Sequence, residues 1–154
     1  MKQRSGKEIV TLYFFQGACV KRVAILVGEF HKEKMKIMVE AAKKTAAQCG
    51  LEVINEVWVS GSMEKPLQAK KILAKKEISG LIVLGIIERG ETKHGFVMAQ
   101  AVITALINIQ LEVLKPMGVG ILGPEILPEQ ISSRLVPYAE NAVRALAKSL
   151  SQNN

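Results

Sequence analysis

The residues best suited to chemistry at neutral pH stand together in Arg89-Gly90-Glu91-Thr92-Lys93-His94. An imidazole titrates near neutrality, so His94 can both accept and return a proton during a reaction. The stretch follows an apolar run over residues 80–87 and precedes an amphipathic pattern, so it reads as the turn between a strand and a helix. Such a turn points unpaired backbone N–H groups at one spot, where an anion such as a phosphate can sit, and Thr92 adds a hydroxyl. Glycine and threonine at a strand-to-helix turn also make an ordinary helix cap, so the rest of the chain has to decide between the two.

The elements that position this turn are legible from hydrophobic pattern. Residues 23–27 are a continuous apolar run, the signature of a strand buried on both faces, and Gly28-Glu29-Phe30-His31 ends it. A helix is predicted over residues 32–49, with Met35, Met38, Val39, Ala42 and Ala46 at three-to-four spacing and Gly50 after it. A second strand follows over 51–59, a polar loop over 60–66, a short basic helix over 67–76 opened by Pro66, and a third strand over 80–87. The helix predicted over 95–114 is apolar almost all round, broken by a thin stripe of Gln100, Thr104 and Asn108 with Gln110 and Glu112 near its end. That stripe is too polar for a membrane span and the apolar surface too wide for one sheet, so a partner subunit is the expected cover. Lys115-Pro116 stops it, residues 117–122 form a fourth strand, Gly123-Pro124 opens a loop, and a last helix runs over 128–150 with Pro137 as a break or second start.

Four strand-helix units without hairpin signals predict a parallel sheet covered by helices on both faces. Ligands of such sheets bind beyond the strand C-termini, where the loops 28–31, 60–66, 88–94 and 120–124 fall. Residues 8–15 are mostly β-branched and aromatic and precede the first core strand; they are expected to form a strand added to a neighbouring subunit. The expected organisation is therefore an extension over 1–20 and one domain over 21–154.

Composition narrows the function class. The 154 residues are 49% hydrophobic but only 5% aromatic, as expected of an aliphatic core where helices pack on a parallel sheet. Twenty-one basic against 14 acidic residues give +7, yet Lys and Arg are scattered along helices with Glu between them and no nucleic-acid motif is present, so no nucleic-acid partner is expected. Two cysteines, Cys19 and Cys49, and two histidines, His31 and His94, lack metal-type spacing, so no metal is expected, and reduced thiols fit a cytoplasmic protein.

With these loops in order, the chain resembles the 6,7-dimethyl-8-ribityllumazine synthases of riboflavin biosynthesis, in their archaeal type. The turn over residues 89–94 is similar to the family's R/E-G-x-T-x-H, and residues 61–66, Gly-Ser-Met-Glu-Lys-Pro, resemble P-G-S-x-E-I-P. Glu29-Phe30, Lys115-Pro116 and Leu122-Gly123-Pro124 followed by Arg134 add weaker matches. The resemblance implies a three-layer α/β/α, flavodoxin-like fold with a four-stranded parallel sheet. It implies condensation of 5-amino-6-(D-ribitylamino)uracil with 3,4-dihydroxy-2-butanone 4-phosphate, without cofactor or metal, in a homopentamer or multiple of pentamers. It also implies roles: His94 shuttles protons; Gly90, Glu91, Thr92 and Arg134 hold phosphate; Phe30 stacks on the pyrimidine; Gly61, Ser62, Met63 and Glu64 grip the ribityl chain; Ile86, Ile87 and Val119 complete the pyrimidine and ribityl pocket. Val119, Gly120 and Arg134 would come from the adjacent subunit.

Taken singly, these residues have ordinary readings: Phe30 as core, Glu64 as a helix-start carboxylate, Arg134 as a solvated helix residue, His31 as a helix-start polar residue outside the site. Their joint position beyond the strand ends is what makes a site. The sequence departs from the family at Met63, often aromatic, at Lys65, usually apolar, and over 135–140, where a lysine common after the phosphate arginine is missing; Lys93 is the candidate replacement. A riboflavin synthase of similar fold, and a non-catalytic flavin-binding or assembly protein, are the competing readings.

Overall fold

The computed structural model describes residues 19–152, so the strand expected over residues 8–15 lies outside the described residues. Strands β1 (Lys21–Gly28), β2 (Leu51–Val59), β3 (Gly80–Glu88) and β4 (Met117–Ile126) alternate with helices α1 (Lys32–Gln48), α2 (Lys65–Leu73) and α3 (His94–Val113). After β4 come the short α4 (Pro128–Ile131), a 3-10 turn (Ser132–Arg134) and α5 (Leu135–Ser151). The strands are parallel, in the order β2-β1-β3-β4, so the chain reverses its direction of winding between β1 and β3. In an open parallel sheet that reversal leaves a crevice at the strand C-termini, because the loops from the two strands turn to opposite faces.

Alternation along the central strands feeds two cores. Val23, Ile25 and Val27 face α1 and α5, packing with Met35, Met38, Val143 and Leu146. Ala24, Leu26, Leu81 and Val83 face α2 and α3, packing with Ala69, Leu73, Val102 and Leu106. The result is the expected three-layer α/β/α arrangement around a four-stranded parallel sheet. Residues 23–27 and 81–84 of the two central strands lose their side chains from water completely, which is why these stretches read as unbroken apolar runs.

Several boundaries differ from the sequence expectation. Helix α2 starts at Lys65, two residues earlier than expected, because Pro66 occupies its first turn, where no backbone N–H is required, and it ends at Leu73. Gly123-Pro124 does not end the fourth strand. Pairing with β3 resumes after an irregularity, with Glu88 opposite Ile126 and the Arg89 N–H donating to the Ile126 carbonyl at 2.9 Å, so β4 reaches Ile126. A Cβ on Gly123 would meet the Ile87 carbonyl oxygen at 2.0 Å, so this close crossing of β3 demands glycine. The single helix expected over 128–150 is divided, and Pro137 lies in the first turn of its second part, α5.

Helix α3 buries one stripe, Ala99, Val102, Leu106 and Ile109, against the sheet. Met98, Ile103 and Val113 pack beside that stripe, while several other apolar residues stay in water on the single chain: Val97 is 60% exposed, Leu111 69%, and Leu114 beyond its end 83%. By length and composition α3 could cross a membrane. Its polar residues instead tie it to the domain, with Glu112 bonded to Lys70 of α2 at 2.8 Å and the Gln110 amide oxygen accepting from the Met117 N–H at 2.7 Å.

Candidate active site

A cavity of about 560 Å³ opens at the crevice between β1 and β3 and extends under the loop after β2. Of the residues expected in the site, it gathers Phe30, Gly61, Ser62, Met63, Glu64, Ile86, Ile87, Gly90, Thr92 and His94. These come from four separate segments, brought together because three parallel strands end side by side. Ile86 and Ile87, 4% and 2% exposed, form an apolar wall continuous with the core. Phe30 lines the cavity and stands half-exposed.

His94 is the first residue of α3, and its N–H donates to the Thr92 hydroxyl oxygen at 3.3 Å, which holds the turn closed. The N–H groups that follow in the first helical turn lack an intrahelical acceptor until Val97, whose N–H donates to the Lys93 carbonyl at 3.0 Å. The site therefore offers a titratable ring and a partly positive helix end within one turn of chain.

The sequence reading left His31 outside the site, yet its Nε2 donates to a Glu88 carboxylate oxygen at 2.7 Å and its ring lies 4.2 Å from that of Phe30. This bond joins the loop after β1 to the end of β3 and fixes the backbone that carries Phe30. His31 adopts the left-handed conformation, φ 56°, which is uncommon outside glycine but in which histidine is enriched. A histidine directly after the stacking candidate was the available signal; its partner 57 positions away was not visible.

Three expected residues are not in the cavity of the single chain. Glu91 is exposed on the turn; Val119 is 38% exposed on the edge strand β4; Arg134 is exposed in the 3-10 turn, its Nη1 donating to the Gln130 carbonyl at 2.9 Å. Lys93 does not line the cavity either. It points to Glu125 at 3.8 Å and lies over the Phe96 ring. Arg89 also turns to Glu125, at 3.6 Å.

The cavity also contains a residue the sequence reading had noted only as a departure. Lys65 is 1% exposed, and burial pushes its amine down to about 8, against a smaller opposing pull from Glu64. Its Nζ donates to the Ser62 hydroxyl oxygen at 3.2 Å.

The family model described as 6,7-dimethyl-8-ribityllumazine synthase matches residues 20–153. A 6,7-dimethyl-8-ribityllumazine synthase of Staphylothermus marinus is 31% identical over 132 residues, 86% of this chain and 88% of the relative. One of Methanopyrus kandleri is 35% identical over 127 residues, 82% of this chain and 89% of the relative. Another, of Pyrobaculum arsenaticum, is 33% identical over 127 residues.

Proposed function

The chain belongs to the 6,7-dimethyl-8-ribityllumazine synthase family, and we propose that it condenses 5-amino-6-(D-ribitylamino)uracil with 3,4-dihydroxy-2-butanone 4-phosphate. The two substrates balance to the lumazine, one phosphate and two waters, so the work is proton transfer and charge stabilisation and needs no electron acceptor. The observation that supports the reading is that His94, on the first turn of α3, lines one cavity together with Gly90, Thr92, Ile86, Ile87 and Phe30.

In this reading the pyrimidine stacks on Phe30, and residues 61–64 hold the ribityl chain through backbone groups, the Ser62 hydroxyl and the Glu64 carboxylate. The ketone of the phosphorylated substrate lies between the pyrimidine amine and His94. Imine formation expels water, with His94 returning the proton the leaving oxygen needs. Phosphate departs from the N-terminus of α3, where unpaired N–H groups meet its charge. Ring closure and loss of the second water complete the product.

Arg134 and Val119 act in a neighbouring copy's cavity, and the exposed apolar side of α3 is covered in the same assembly, a pentamer or multiple of one. A cytoplasmic setting suits the exposed free thiols of Cys19 and Cys49. Turnover of the two purified substrates tests the activity. Riboflavin made from dimethylribityllumazine alone would favour the synthase of similar fold, and no product from either reaction would favour a binding protein. For the shared site, mixing the impaired Arg134→Ala and His94→Ala subunits is expected to raise activity above that of either variant alone, because some cavities then receive both intact groups. Zero recovery in verified mixed assemblies would refute it.

A further inference from the structure

Lys65 is a buried cation whose hydrogen bonds are incomplete. An ammonium carries three donors, and Ser62 is its one hydrogen-bond partner among the described residues. Its seat is built by two glycines on the central strands. A Cβ on Gly28 would stand 2.7 Å from the Lys65 Nζ, and one on Gly85 2.9 Å, so the amine occupies space that any other residue at either position would fill. Leaving donors unmet inside a protein is costly, and an acceptor entering the cavity would remove that cost.

We propose that Lys65 is a binding residue for the ribitylaminouracil, its ammonium donating to ribityl hydroxyl oxygens at the floor of the cavity. This rests on the functional reading above. The phosphate is the wrong partner on distance: Gly85 lies three residues before the end of β3, about 10 Å below the turn that would seat the anion. The ribityl chain is the right one on contact, because the single partner of the amine, Ser62, belongs to the segment that holds that chain. Hydroxyls also suit this site, since each can accept from the amine and donate onward to Ser62 or to the Glu64 carboxylate, which lines the same cavity. The lowered proton affinity of the empty amine fits a donor whose acceptors arrive with the substrate.

The test is binding of a non-reactive pyrimidine, 5-nitro-6-(ribitylamino)uracil, and of its 6-methylamino counterpart, to the full chain. Lys65→Met is expected to weaken the ribityl compound about tenfold, the loss of a hydrogen bond to a charged group, and the methylamino compound less than twofold. Gly28→Ala, which leaves Lys65 in place but takes its seat, is expected to act in the same direction. KM for the ketose phosphate should be unchanged in both variants. Equal losses for the two pyrimidines, or none, would overturn the proposal. A wild-type chain that binds the ribityl compound tightly yet makes no lumazine would refute the functional reading alone. Normal turnover with unaltered ribityl binding in Lys65→Met would refute this one alone.

Discussion

Replacing Lys65 by methionine should make the protein more stable at neutral pH, by an amount that disappears in alkali. The amine ionises near 10.5 in the unfolded chain and at about 8 in the folded one. Each unit of difference corresponds to about 1.4 kcal/mol, so holding the charged form in the fold costs about 3 kcal/mol below pH 8. Methionine has a similar length and no charge to desolvate, and its sulfur and methyl fit the space over Gly28 and Gly85. Losing the bond to Ser62, itself only 7% exposed, takes back about 1 kcal/mol, leaving a net gain of about 2 kcal/mol at pH 7. The sign with pH follows from proton uptake. Between pH 8 and 10.5 the unfolded chain binds the proton that the folded chain has released, so wild-type stability rises with pH and the advantage of the variant shrinks. Urea unfolding at pH 7, 8.5 and 9.5, at one protein concentration because the proposed assembly would contribute to stability, measures the difference. A gain that stays constant across this range would mean that the folded amine keeps its proton as firmly as the unfolded one, and the reasoning from burial would fail. The same variant is expected to bind the ribityl compound less well, so one substitution should move stability and binding in opposite directions.

His94→Ala is expected to slow turnover about a hundredfold with near-normal substrate binding, measured as kcat against KM; an unchanged rate would reduce His94 to a helix-start residue. Arg134→Ala is expected to weaken use of the ketose phosphate by about 2–4 kcal/mol while pyrimidine affinity stays the same, and a parallel fall in both would contradict its assignment to phosphate. Leu111→Glu places a charge on the side of α3 that is exposed in one chain, so it should dissociate the assembly in sedimentation without unfolding the protomer. Retained assembly in that variant would move the interface elsewhere.

What the sequence alone determined was whatever depends on local pattern. The unbroken apolar runs at 23–27 and 80–87 identified the two central strands, because a strand buried on both faces tolerates no polar residue on either. The three-to-four spacing of Met35, Met38, Val39 and Ala42 identified α1 and its buried face. The glycine-bearing turns at 61–66 and 89–94 were legible because their residue types meet backbone and capping demands that act within a few positions, and ten of the expected site residues line one cavity. Tertiary structure decided what depends on distant neighbours. β4 runs on to Ile126 because β3 offers it a partner at Glu88, which outweighs the turn character of Gly123-Pro124. His31 belongs beside the site because Glu88 reaches it across the sheet. Lys65, which by type belongs in water, is buried because Gly28 and Gly85 leave a hole of its size on adjacent strands. A side chain with four rotatable bonds goes where space and partners allow, and those are set by residues that only the folded sheet brings together.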